Sequence, residues 1–242
     1  MSNAAQVRPA TSKVLVIFDL NGTLCSMEHP ASTSARKAAA PAAAALQEPD
    51  FLAGQKRVYV RPFVHTMLEQ VASEYDVACW SCNTARYALP TAKALFRTIC
   101  EPKFVWTNED CDFEEDYTTM KRTRGVRRFN DDQNVGSKNV DRPELDAWQY
   151  VVLVDDTPAK YVRRGTEKPG LFRTLLHVPE FDRNEAKSRP NADPDVALLS
   201  LKSQIDAWVD SVDASALRPP FAAGLAAAGL AAESPSRRHA AK

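Results

Sequence analysis

Two stretches of this chain, VLVIFDL (residues 14–20) and YVVLVDD (150–156), are apolar at consecutive positions rather than alternate ones, and both run into aspartate. A strand with one wet face alternates in polarity. A strand apolar throughout is covered on both faces, the condition of a parallel sheet between layers of helices. Further short runs, RVYV (57–60), DVACWSCN (76–83), KFVW (103–106) and FRTLLHV (172–178), read as strands. Helical patterns separate them. In FVHTMLEQVASEY, Phe63, Met67, Val71 and Tyr75 recur every fourth residue with Val64 and Leu68 beside them, and Pro62 suits a first turn. A second helix runs through TAKALFRTI, and VALLSLKSQIDAWVDSV (196–212) closes the domain. The alternation predicts an α/β fold with a central, mainly parallel sheet flanked by helices.

Length fits one domain with a core and two tails: 1–12, a domain over 13–213, and an Ala/Pro-rich tail over 214–242. Two stretches interrupt the domain. Residues 25–56 read as a loop-like insertion with an alanine-rich centre, partly helical and broken by Pro30 and Pro41. Residues 109–139 are polar and charge-segregated, acidic from Glu109 to Asp116 and basic over KRTRGVRR (121–128). The formal net charge is zero, so attraction to an acidic ligand must be local. No apolar run is long enough to span a bilayer, and no membrane partner is expected. Five cysteines, odd in number and irregularly spaced, with no secretory signal pattern, point to reduced thiols in a cytoplasmic or nuclear compartment. A weak mitochondrial presequence stays open as the alternative.

In open parallel sheets, ligands gather at the carboxyl ends of strands, and Asp19 and Asp155 both stand there. After the first strand comes Asp19-Leu20-Asn21-Gly22-Thr23-Leu24, a carboxylate on a strand end followed by a tight turn. Trp80-Ser81-Cys82-Asn83 puts a hydroxyl at the end of another strand, followed by Ala85-Arg86-Tyr87-Ala88 and Pro90. Tyr59-Val60-Arg61-Pro62 precedes the first helix, Lys138-Asn139-Val140 precedes the second acidic strand, and that strand ends in Val154-Asp155-Asp156-Thr157-Pro158.

These pieces, in this order, resemble the motifs of the haloacid-dehalogenase superfamily, and within it the NLI-interacting-factor or CTD-phosphatase branch, across roughly residues 14–180. The resemblance implies a Rossmann-like fold and a Mg2+-dependent phosphatase acting on phosphoserine or phosphothreonine in proteins. Asp19 would be the nucleophile that becomes an aspartyl-phosphate. Ser81, Cys82 and Lys138 would hold the phosphoryl group. Asp19, the Asn21 carbonyl, Asp155 and Asp156 would hold Mg2+. One residue departs from the pattern. The family's D-x-D-G-T has a second acid where this chain has Asn21, the catalytic position that would protonate the leaving group. Asparagine cannot titrate. The rival reading is therefore a catalytically silent member that binds a phosphorylated or acidic partner as a scaffold.

Other signals are weaker. Cys79-x-x-Cys82 has redox-motif spacing but lies along a strand, which favours core cysteines. The basic stretch 121–128 reads as a solvated loop, an import signal, or a dock for acidic phosphopeptide or RNA. His29, His65, His177 and His239 show no metal-ligand spacing. The expected state is a monomer with a phosphorylated protein or acidic partner as its ligand, and with nucleic acid not expected.

Overall fold

Both apolar runs are covered on every side: all five residues of β1 (Val14–Phe18) and all six of β8 (Tyr150–Asp155) are buried. They are neighbours in a five-stranded parallel sheet whose order is β10 (Phe172–His177), β8, β1, β5 (Asp76–Trp80), β6 (Val105–Trp106). The computed structural model describes residues 13–29, 48–112, 137–165, 168–183 and 195–216. The alanine-rich centre of the insertion, the basic stretch 121–128 and the C-terminal tail beyond 216 lie outside the described residues. Two compact units divide the chain, Met1–Ile205 and Asp206–Lys242, and the sheet belongs wholly to the first.

The register aligns the strand ends that matter. Phe18 is level with Val154 on one side and with Cys79 on the other. Asp19 is therefore level with Asp155 and Trp80, and Ser81 stands one residue further out. Helix α1 (Val64–Ala72) buries Val64, Met67, Leu68 and Val71, and α2 (Ala85–Phe96) buries Ala88, Thr91, Ala92, Leu95 and Phe96. A second core cluster of Leu15, Ile17, Trp80, Leu145, Val151 and Leu153 carries Trp106 and Trp148 at its border.

Four expectations need correction. The stretch read as loop-like over 25–56 holds two strands, β2 (Cys25–Glu28) and β3 (Phe51–Ala53). RVYV belongs to β4 (Lys56–Val60), which joins β2 and β3 in a separate antiparallel sheet rather than the parallel one. Only Gly54 and Gln55 connect β3 to β4, far too few for a parallel crossover, and Gly54 takes a positive φ of 59° in the hairpin turn. Phe63 is not on the buried helix face. It precedes α1 in the left-handed region, φ 65°, and is 40% exposed. The positions 64, 67, 68 and 71 already complete an i, i+3, i+4, i+7 face without it. The last helix, α3, begins at Leu201 rather than 196 and runs to Ala216, with Leu201 and Ile205 buried in the first unit.

Candidate active site

Where β1 ends, the backbone leaves the sheet in a turn closed by its own hydrogen bonds. Asp19 N–H still donates to the Val154 carbonyl at 2.9 Å; Leu24 and Cys25 N–H then both donate to the Leu20 carbonyl, at 2.9 and 3.0 Å. Gly22 sits at the turn with φ 88°. A Cβ there would lie 2.6 Å from the Asp156 carboxylate, so only glycine lets the two loops close on each other. Thr23 fastens that closure. Its hydroxyl accepts from Asp156 N–H at 3.0 Å and donates to Asp156 Oδ1 at 3.2 Å. Arg61 braces the turn from the other side, donating to the Thr23 carbonyl at 3.1 Å and to both oxygens of Asp195 at 2.6 and 3.2 Å.

Asp19, Asp155 and Asp156 bring carboxylate oxygens within 4.8 Å of one another. Two ammonium groups hold them together. Lys138, fully buried, bridges Asp19 Oδ1 at 2.9 Å and Asp155 Oδ2 at 2.6 Å. Lys160 faces the opposite oxygens, Asp19 Oδ2 at 3.3 Å and Asp155 Oδ1 at 3.4 Å, and reaches Asp156 Oδ1 at 3.9 Å. Both lysines arrive through one short parallel pair, β7 (Lys138–Asn139) with β9 (Tyr161–Val162), in which Lys138 is level with Tyr161. Thr157 N–H donates to Asp155 Oδ1 at 2.8 Å, which orients that carboxylate further.

Burial alone would raise the Asp19 pKa, but the charges of Lys138 and Lys160 outweigh it and hold Asp19 below the usual carboxylate range. Burial would lower the pKa of each lysine; Asp19 and Asp155 outweigh it, and both ammonium groups are held above their ordinary value. Asp155 and Asp156 are pushed up, chiefly by burial, against the pull of the lysines. The cluster thus favours an ionised Asp19, the state a carboxylate nucleophile requires.

The other expected residues are close in the fold but differently engaged. Ser81 is buried at the end of β5, and its hydroxyl oxygen accepts from the backbone N–H and the side-chain amide of Asn83, both at 3.2 Å. Cys82 turns its thiol to Cys111, Sγ to Sγ 3.6 Å, while Cys79 is buried in the strand, so the C-x-x-C spacing makes no pair. Asn21 uses its side-chain oxygen to accept from Met27 N–H at 2.8 Å, which ties the motif turn to β2. Sequence reasoning passed over Lys160, Thr23 and the role of Arg61. The i,i+4 spacing of Asp156 and Lys160 across Pro158 was the available signal.

The residues present fit Mg2+. The donors are all oxygens, as that ion requires, and the missing Cβ of Gly22 leaves the Asp156 carboxylate room beside the turn. Asp19, Asp155 and Asp156 would supply carboxylates and Asn21 its backbone carbonyl.

The family described as NLI interacting factor-like phosphatase matches residues 14–181. No curated protein matches the chain. Among solved structures it is similar to fission yeast RNA polymerase II CTD phosphatase Fcp1 bound to beryllium fluoride, at 14% identity and TM-score 0.42 over 82% of this chain and 51% of that one. It is also similar to a structure of Fcp1 described as an essential RNA polymerase II CTD phosphatase, at 16% identity and TM-score 0.40 over 91% and 55%. The chain spans about half the length of the solved structures it matches. Among the described residues, no helix is long and apolar enough to cross a membrane.

Proposed function

Because this chain belongs to the NLI interacting factor-like phosphatase family, we propose that it hydrolyses phosphate monoesters through a phosphorylated Asp19, with phosphoserine or phosphothreonine in a protein as substrate and Mg2+ as cofactor. The observation that carries this reading is the buried Asp19 carboxylate, pinned at a strand end between two ammonium groups and kept ionised by them. In the first step an Asp19 oxygen forms a bond to phosphorus as the P–O ester bond breaks, and the leaving oxygen departs as an alkoxide that takes its proton from solvent. In the second, water attacks phosphorus and releases phosphate and free Asp19. Lys138 neutralises charge on Asp19 throughout and keeps it aimed out of the sheet. Bound Mg2+ would supply charge neutralisation for the transferring phosphoryl group. The segment of Ser81 and Cys82 stands beside the nucleophile at the end of the adjacent strand, where a phosphoryl oxygen would meet it.

Asn21 sets the limit on this chemistry. Loss of a positioned general acid–base costs on the order of 10²–10⁴ in rate. Departure of a serine alkoxide is then slow, whereas an aryl phosphate, whose leaving group needs little protonation, suffers less. Dephosphorylation of Asp19 becomes limiting, because water has no general base. The test is a time course with an aryl phosphate, run beside Asp19→Asn. We expect an initial burst, a slow steady state, and phosphate trapped on Asp19 by mass mapping. Asn21→Asp should raise steady-state turnover by roughly 10²-fold, since a carboxylate oxygen can still accept from Met27 N–H. Fresh protein is needed, because Asn21-Gly22 is prone to deamidation. Asn21 is also what favours the second reading, a silent scaffold that binds a phosphorylated or acidic partner. Silence of folded Asn21→Asp protein would make that reading the better one.

A further inference from the structure

Lys160 has no counterpart among the motif residues, yet its ammonium contacts all three carboxylates of the cluster. We propose that Lys160 is a tethered cation standing at the divalent-ion position, so that Mg2+ binds only by expelling it. The inference rests on reading this cluster as the ion site of a phosphatase, but its tests need no turnover.

The two lysines divide the carboxylate oxygens between them. Lys138 takes Asp19 Oδ1 and Asp155 Oδ2, while Lys160 takes Asp19 Oδ2, Asp155 Oδ1 and Asp156 Oδ1. Lys160 is the cation paired with all three acids, so an ion held by the same three carboxylates would compete with its ammonium for them. Only one of the two lysines can leave. The Lys138 side chain is 0% exposed, whereas the Lys160 side chain is 13% exposed and keeps one edge toward solvent. The backbone of Lys160 is held by its N–H bond to the Thr157 carbonyl at 3.0 Å and by the adjoining β7–β9 pair. Its departure is therefore a side-chain swing, with no rebuilding of the loop. Charge points the same way. Three carboxylates against two ammonium groups leave one net negative charge, and a dication added beside both lysines would meet two like charges at contact distance. Expelling Lys160 removes one of the two repulsions and releases its ion pairs with Asp19 Oδ2, Asp155 Oδ1 and Asp156 Oδ1. Without the ion, Lys160 keeps the cluster assembled; with it, the ammonium is released toward the mouth of the site.

Two measurements test this. Calorimetric titration of Mg2+ into the full chain should show weak binding for wild type and Lys160→Arg, which keeps the cation. Binding should be tighter by about tenfold or more in Lys160→Gln and Lys160→Ala. Adding Asp156→Asn to Lys160→Gln should reverse the gain. Equal affinity across the series, or tightening in Lys160→Arg as well, would overturn the proposal. The second measurement uses wild-type protein only. Acylation of lysines by a water-soluble active ester, read by peptide mass mapping, should increase severalfold at Lys160 when Mg2+ is added and stay low at Lys138. No change at Lys160, or protection, would refute expulsion. A catalytically silent protein that passes both tests keeps this inference and loses the phosphatase reading; an active one that fails them does the reverse.

Discussion

Replacing Lys138 by Met keeps much of the side-chain volume and removes the charge that Asp19 and Asp155 share. Both contacts are short, 2.9 and 2.6 Å, and neither partner is more than 2% exposed, so water cannot take over the lost neutralisation. Removing one partner of a buried ion pair typically costs about 3–5 kcal/mol. Lys160 still faces Asp19 and Asp155 at 3.3 and 3.4 Å, which places the expected loss at the lower end, about 3 kcal/mol. The pH dependence separates this cause from simple repacking. Without Lys138, two buried carboxyls face each other with a single ammonium between them, and their folded pKa values rise above the unfolded value of about 3.9. Such groups bind more protons folded than unfolded, so their contribution to stability falls as pH rises through that interval. The deficit of Lys138→Met relative to wild type should therefore shrink, by about 1 kcal/mol or more, between pH 7 and pH 5. Urea unfolding at the two pH values measures both quantities. Adding Asp155→Asn to Lys138→Met should recover part of the loss, with a coupling of about 1–3 kcal/mol. A deficit below about 1 kcal/mol, or one equal at both pH values, would refute the claim that Lys138 is held by its two carboxylates.

Three further outcomes follow from the geometry. Gly22→Ala puts a Cβ 2.6 Å from the Asp156 carboxylate at φ 88°, so stability should drop by about 1–3 kcal/mol and Mg2+ binding should fail in calorimetry. Arg61→Lys cannot reproduce the forked contact with Asp195 and the bond to the Thr23 carbonyl; chemical unfolding should show a loss of about 2–3 kcal/mol, less than for a wholly buried pair because Asp195 is 23% exposed. Cys82, half-buried and with its thiol pKa lowered chiefly by the Cys111 hydrogen bond, should be alkylated well before Cys25 and Cys79, whose thiols burial pushes far up. Mass mapping after brief iodoacetamide treatment decides this, and labelling of Cys25 or Cys79 ahead of Cys82 would contradict it.

The parallel sheet was legible because its physics is local. Strands covered on both faces must be apolar along their length, and 14–18 and 150–154 are. The acids that end them stand at the carboxyl edge for the same reason, since a carboxylate is tolerated only where the covered strand stops. The antiparallel hairpin was missed because β2 and β3 are only four and three residues long and half-exposed, which leaves little periodicity to read. Phe63 was misplaced because a four-residue spacing cannot say which of two overlapping faces meets the sheet. The cluster's charge balance lay further out of reach. Lys160 and Lys138 are 22 positions apart and look like ordinary solvated lysines; only the pairing of β7 with β9 carries both to the same three carboxylates. Covalent order determined which chemistry the strand ends could carry. The long-range pairing of short strands decided which charges face one another there, because ion-pair energies depend on distances and burial that no spacing along the chain encodes.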